Sequence, residues 1–384
     1  MRGFTRQRGT TYTAYWSITD PATGKRVQHS KGGFKTTKAA AAYLNDVVGK
    51  VQAGAWKPDR ALTVKALLEE HWLPAQESRG LKSTTLAQYR DVVSAWVVPH
   101  LGGMRAAALT PKDVQALVEK LRTTPTSTGR DGLAPRSLQV AVGVLKAAYA
   151  FAVTTELLGR NPIAGVRRPS VEQRPPTTWD AATARAFLTA TADDRLAALW
   201  ALALTRGLRR GELAGLRWSA IDFAEATLTV THTRVMVDGH PEESTPKSRA
   251  GRRSVPLDEH LVDLLTTHRR AQRAERLRAG LGKDESGYVF TNELGEPLSP
   301  KWISDRFEDL VKAAGLPRIR LHDTRHTAAS LMVAAGVPAK VVQEMLGHSH
   351  VSITLALYAH VTPAMGREAG AALSAALLGT SPVG

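Results

Sequence analysis

The residues that could do chemistry gather in the last half of the chain, as a set of cations and one tyrosine. Thr205-Arg-Gly-Leu-Arg-Arg-Gly-Glu212 puts Arg209 beside a glycine turn, with Glu212 close by to orient it. Thr245-Pro-Lys-Ser-Arg-Ala-Gly-Arg-Arg253 reads as a flexible basic loop between two strands. Leu321-His-Asp-Thr-Arg-His326 starts a helix, Leu346-Gly-His-Ser-His350 ends one, and Tyr358 lies ten residues beyond His348. Guanidinium groups can hold phosphate oxygens bidentately, and a phenol can act as a nucleophile once its proton is accepted. Taken singly, each stretch also has a plain structural reading: a buried Arg–Glu pair, a solvated loop, a capped helix, a core tyrosine.

Other familiar devices are missing from the sequence. There is no Gly-x-x-x-x-Gly-Lys-Ser/Thr loop, so ATP is not expected to be used. There is no Gly-x-Ser-x-Gly elbow. His322 and His326 stand four apart, but the residues between them are Asp323, Thr324 and Arg325, without the glutamate of a zincin. No metal and no cofactor are therefore expected. The sequence has no cysteine, which excludes disulfides and thiolate metal sites and suits a reducing cytosol.

These groups need a scaffold, and composition bounds it. The chain has 384 residues, enough for two or three domains, and 43% of them are hydrophobic, enough to bury real cores. The formal net charge of +16 favours a polyanionic partner, nucleic acid first and an acidic membrane second. The basic start has no apolar stretch behind it, so it is not read as a signal peptide. The most apolar run, Leu196 to Leu204, is far short of the roughly 20 residues of a membrane span. A soluble, intracellular protein without a membrane partner is expected.

Residues 1–57 read as a small separate unit. Tyr12, Ala14, Trp16 and Ile18 alternate as in a half-buried strand, Asp20 to Gly24 makes a turn, and Lys25 to Lys31 can return as a second strand. Thr36 or Thr37 can cap a helix through Ala39–Val51. The unit holds ten Lys and Arg against two Asp, half the chain's positive surplus, with aromatics among them. It fits either a solvated basic face or a DNA-contacting module. Residues 62–165 read as a helical domain of about four helices, including one that starts on the cap Thr110-Pro111-Lys112-Asp113. Residues 166–178, with three prolines and three arginines, form the best linker. Residues 179–384 form a mixed, mainly helical α+β domain with a small antiparallel sheet. Helices are expected over 179–217, 299–314, 323–335 and 338–346, and strands over Ala226–Val237, Arg252–Leu257 and Tyr288–Phe290.

In their order and spacing, the stretches TRGLRRGELAGLRW, TPKSRAGRRSVPL, LHDTRHTAAS and LGHSHVSITLALYAHV resemble the tyrosine recombinase family, which includes phage integrases and Xer recombinases. They span most of residues 200–361. The N-terminal unit looks like the arm-site DNA-binding module of some integrases, and residues 62–165 like the family's core-binding domain, both less specifically. The resemblance implies that Arg209 is the first catalytic arginine and Glu212 the acid that follows it. Lys247 is the β-hairpin lysine, His322 and Arg325 form the His-x-x-Arg box, His348 fills the His-or-Trp position, and Tyr358 is the nucleophile. Lys247 is the least secure, because its loop offers several cations. Arg249, Arg252 and Arg253 are assigned to backbone contact or structure.

The chemistry implied is DNA cleavage through a covalent 3′-phosphotyrosine, followed by rejoining. A free tyrosine has a pKa of about 10, so the phenol needs both nearby guanidinium charge and a base. The resemblance further implies double-stranded DNA attachment sites, a homo-tetramer on DNA, and accessory DNA-bending or directionality proteins. It points to a bacterial cytoplasm, close to the nucleoid. The apolar segment Ala369–Leu378 either packs on its own domain or is donated to a neighbouring protomer. Two other readings stay open: a type IB topoisomerase-like nicking and resealing enzyme, and a non-catalytic DNA-binding regulator on the same fold.

Overall fold

Alternating large apolar residues set the N-terminal sheet. In a computed structural model, which describes residues 3–19, 26–52, 62–125, 129, 131–171, 177–246, 249–282, 287–347 and 374, β1 (Gly3–Arg8), β2 (Thr11–Thr19) and β3 (Arg26–Phe34) pair antiparallel in that order. β2 is the central strand, and β1 is an addition to the two strands expected. Ala14 and Trp16 face one side and bury against Val47 of the helix Thr37–Gln52. Thr36 starts that helix, its hydroxyl accepting the Ala39 N–H. On the other side Phe4 stacks on Tyr15, centroids 5.0 Å apart. The turn expected at Asp20–Gly24 lies outside the described residues.

The chain divides into two units, residues 1–81 with 89–171, and 82–88 with 172–384. In the first unit, the helices slip twice into π-helical turns, Leu67–Trp72 and Val92–Val97. Each slip sits just before a proline, Pro74 and Pro99, and is closed by an i→i−5 bond, Leu73 N–H to Leu68 O and Val98 N–H to Val93 O. The wider turn accommodates a residue that can neither donate its own bond nor clear the preceding carbonyl. Pro111–Thr123 begins with a reciprocal Thr110–Asp113 capping box. Pro135–Thr154 is long and apolar enough for a membrane span by length and composition. Its Leu138, Val142, Leu145 and Tyr149 instead pack into the core of this unit beside Trp72 and Val93.

In the second unit, helices Ala181–Ala190, Ala197–Thr205, Glu259–Arg278 and Pro300–Ala313 surround a core of Phe187, Trp200, Leu265, Phe290 and Phe307. Ala197–Thr205 is buried on nearly every side. The expected strand at 226–237 is two strands. β5 (Thr227–Val230) lies between β4 (Ile221–Asp222) and β8 (Arg253–Pro256), while β6 (Thr233–Val237) turns through Asp238 and Gly239 into β7 (His240–Ser244) as a separate hairpin. Tyr288–Phe290 is no strand. Val289 and Phe290 are both buried rather than alternating, and Tyr288 makes only an isolated bridge to Arg217. Glu259–Arg278 was not expected. Its apolar face is reduced to Leu261 and Leu265, continued by buried His268 and Gln272.

Candidate active site

Four of the candidate residues lie on two short segments of the second unit. Arg209 is the N-cap of the helix Arg210–Ala214, and Glu212 is the third residue of that helix. The Glu212 carboxylate turns back on the cap: Oε2 accepts the Arg209 N–H at 2.8 Å, and Oε1 accepts Arg209 Nη1 at 2.7 Å. The capping bond thus also aims the arginine. Arg325 sits in the helix Asp323–Ala334, which opens at His322.

A third arginine joins them. Arg253, the first residue of β8, forks onto the same carboxylate, Nη1 to Oε1 and Nη2 to Oε2, both at 3.0 Å. Glu212 is buried, which pushes its pKa up, but the Arg253 bonds and the Arg253 and Arg209 charges outweigh burial and hold it below the usual glutamate range. Arg325 is also buried. Burial first, then the charges of Arg209 and Arg253, lower it to about 9, and it remains cationic at neutral pH.

The three arginines take three successive carbonyls at the end of the helix Ala339–Leu346. Arg253 Nε donates to Met345 O at 2.6 Å, Arg325 Nη2 to Leu346 O, and Arg209 Nη2 to Gly347 O at 2.8 Å. Carbonyls at a helix C-terminus lack partners within the helix and carry its negative pole, so cations are favoured there. Arg325 Nη1 also donates to Gly207 O at 2.8 Å, which ties in the turn ahead of Arg209. Gly207 and Gly347 both have positive φ, 58° and 65°. A Cβ on Gly347 would come within 2.6 Å of Ala250 O and 3.0 Å of Arg253 Cδ.

His322 stays accessible and meets the His326 ring edge to face, centroids 5.5 Å apart. Partial burial and the His326 and Arg325 charges lower its pKa, so it is neutral at pH 7 and can accept a proton. Next to it, buried Asp323 accepts from Arg320 Nε at 3.0 Å, Nη2 at 2.8 Å and the backbone N–H at 2.9 Å.

Lys247, His348 and Tyr358 lie outside the described residues. Three residues before Lys247 in sequence, β7 ends a hairpin that is pinned by Glu243 to Arg217 and the Tyr288 hydroxyl, and by Arg234 Nη1 to Pro297 O at 2.7 Å. His348 directly follows Gly347. Among the described residues, no cluster of three or more His, Asp or Glu could hold a metal. A groove of about 890 Å³ lined by Asp194, Glu293, Trp302, Asp305 and Asp309 shares no residue with the arginine cluster. Its two arginines, Arg195 and Arg306, are paired with Glu275 and Asp194, so it suits a phosphate backbone poorly.

Comparison with known proteins matches residues 181–365 to the phage integrase family, 4–51 to an arm DNA-binding domain, and 65–122 to the N-terminal SAM-like domain of phage integrases. The tyrosine recombinase XerC-like protein of Caldanaerobacter subterraneus subsp. tengcongensis is 30% identical over 348 residues, covering 86% of this chain and 87% of the relative. Among solved structures, a Tn1549 transposon integrase in complex with transposon right end DNA has a TM-score of 0.65 at 23% identity, covering 82% of this chain and 99% of that one. A lambda integrase tetramer bound to a Holliday junction has a TM-score of 0.56 at 19% identity, covering 92% and 94%.

Proposed function

The chain belongs to the phage integrase family of tyrosine recombinases, and from that premise we propose how its own residues cut and rejoin DNA. The enzyme is a site-specific recombinase. In the proposed cleavage step, Arg209 and Arg325 hold the nonbridging oxygens of one DNA phosphate and stabilise the charge that builds up during attack. Tyr358 attacks phosphorus as His322 accepts the phenol proton. The P–O5′ bond breaks, Lys247 protonates the departing oxygen, and His348 bonds a phosphate oxygen or steadies Tyr358. The products are a 3′-phosphotyrosine and a free 5′-hydroxyl. A 5′-hydroxyl from a second duplex then attacks the phosphotyrosine, so rejoining needs no ATP.

The observation that carries this reading is the convergence of Arg209 and Arg325 on adjacent carbonyls, Gly347 and Leu346, at the helix end that leads to His348 and Tyr358. Both arginines are oriented before any phosphate arrives, and little reorganisation remains for the reaction.

The proposed substrates are attachment sites of a phage or other mobile element in a bacterial cytoplasm. Four protomers assemble on two duplexes, and accessory DNA-bending or directionality proteins act on that assembly. The basic N-terminal sheet binds a second, arm-type DNA sequence. A two-duplex strand-exchange assay tests this: recombinant joints are expected, whereas relaxation of supercoils without joints would mark a nicking and resealing enzyme.

A further inference from the structure

We infer that Arg253 is a positioning residue for DNA cleavage, the strut that holds Arg209 in register with the helix end at 345–347. This rests on the recombinase reading. The three arginines that grip successive carbonyls do not have equal access to a ligand. The Arg253 side chain is 6% exposed and that of Arg209 38%. Arg325 is as buried as Arg253, at 4%, but its bonds run from Nη1 and Nη2 to backbone carbonyls and its charge is not forked onto a carboxylate. Arg253 is bonded to protein all round its guanidinium: Nε to Met345 O, Nη1 to Glu212 Oε1 with Gly251 O at 3.4 Å, and Nη2 to Glu212 Oε2. It is therefore fixed and turned away from a phosphate.

What Arg253 contributes is charge placement. Glu212 bonds two cations, Arg209 at its own helix start and Arg253 from β8, and acts by its charge on a third, Arg325 of the helix Asp323–Ala334. Arg253 neutralises the carboxylate through a two-point fork, which leaves the charges of Arg209 and Arg325 for the phosphate. The same fork keeps Glu212 ionised, and an ionised Glu212 is acceptor-only, so it meets the Arg209 N–H and Nη1 without a proton of its own turned toward those donors. A lysine would keep the charge but could not supply the fork and the Nε bond together.

The test uses the full-length chain and a nicked suicide duplex, chosen from a randomised pool by covalent capture with the unaltered protein. Arg253→Met should retain duplex binding but slow adduct formation about 100-fold, the order expected when a reacting group is displaced by about an ångström. Its rate should also acquire a new acid limb, because Glu212 loses the bonds that offset its burial and becomes protonated as pH falls. Adding Glu212→Gln to the same chain should remove that limb without restoring the rate. If Arg253→Met does not fold, Arg253→Lys is read by the same criteria. A variant that cleaves at the unaltered rate, or more slowly with an unaltered pH profile, overturns the positioning role. A pool from which the unaltered chain captures nothing overturns the recombinase reading, and this inference with it.

Discussion

Arg209 reaches Gly347 O at 2.8 Å across a sequence separation of 138 residues, so the candidate phosphate-binding arginine is fastened to the residue just before His348. That bond exists because Gly347 is left-handed, with φ 65° and ψ 50°, as the helix Ala339–Leu346 ends. Gly347 →Ala should cost more than about 1 kcal/mol from backbone strain alone, and its Cβ would also displace Ala250 O and Arg253 Cδ. Cleavage should fall with stability. Gly336→Ala, at φ 75° with open space around it, should show the strain without the loss of cleavage. Paired melts and adduct assays on the two variants check this.

Glu212→Ala leaves Arg253 as a buried charge without its partner, with an expected cost of about 3–5 kcal/mol. The pH dependence has a definite sign. Because the pKa of Glu212 is lowered by folding, its contribution is complete above the ordinary carboxylate range and is lost as pH falls through the lowered value. Urea unfolding at neutral and acid pH should show a weaker dependence in Glu212→Gln than in the parent chain, the remainder coming from Asp194, Asp258 and Asp323, whose pKa values folding also lowers.

His322 carries the opposite charge logic. It is neutral at pH 7 because burial and the His326 and Arg325 charges lower its pKa. Cleavage should therefore hold through neutral pH and decline only as pH drops below the ordinary imidazole range. In His322→Gln that decline should vanish, on a uniformly lower rate. Single-turnover adduct formation against pH is the measurement.

Phe4, Arg6 and Arg8 alternate along β1 and share a face with Tyr15, opposite the helix-packed face of Ala14 and Trp16. If Arg6 and Arg8 each neutralise one phosphate, replacing both by alanine should lower the slope of log affinity against log salt by about 2. Salt titrations of the full chain on a duplex selected for binding to the N-terminal unit would show this, while cleavage of a core duplex should be unaffected.

Much of this was legible in the residues. Thr110 and Asp113 announce a helix start that the structure reproduces bond for bond. The helices expected at 299–314, 323–335 and 338–346 appear as Pro300–Ala313, Asp323–Ala334 and Ala339–Leu346. The convergence of Arg209, Arg253 and Arg325 was not legible, since it depends on contacts separated by 21 to 138 residues. In sequence Arg253 is indistinguishable from Arg249 and Arg252, because a basic loop gives no sign of which side chain turns inward. The helix Glu259–Arg278 is hard to read from the residues because two of its four buried positions are polar. Its start was marked all the same, by Asp258 accepting the Leu261 N–H.

The central claim is that one phenol, on Tyr358, forms the covalent link to DNA. The most direct measurement is denaturing capture of the full-length chain on a nicked suicide duplex, followed by peptide mapping of the adduct. A single phosphotyrosine at residue 358, and no adduct from Tyr358→Phe, is the expected result. An adduct that persists in Tyr358→Phe, or that maps to another residue, would contradict the account.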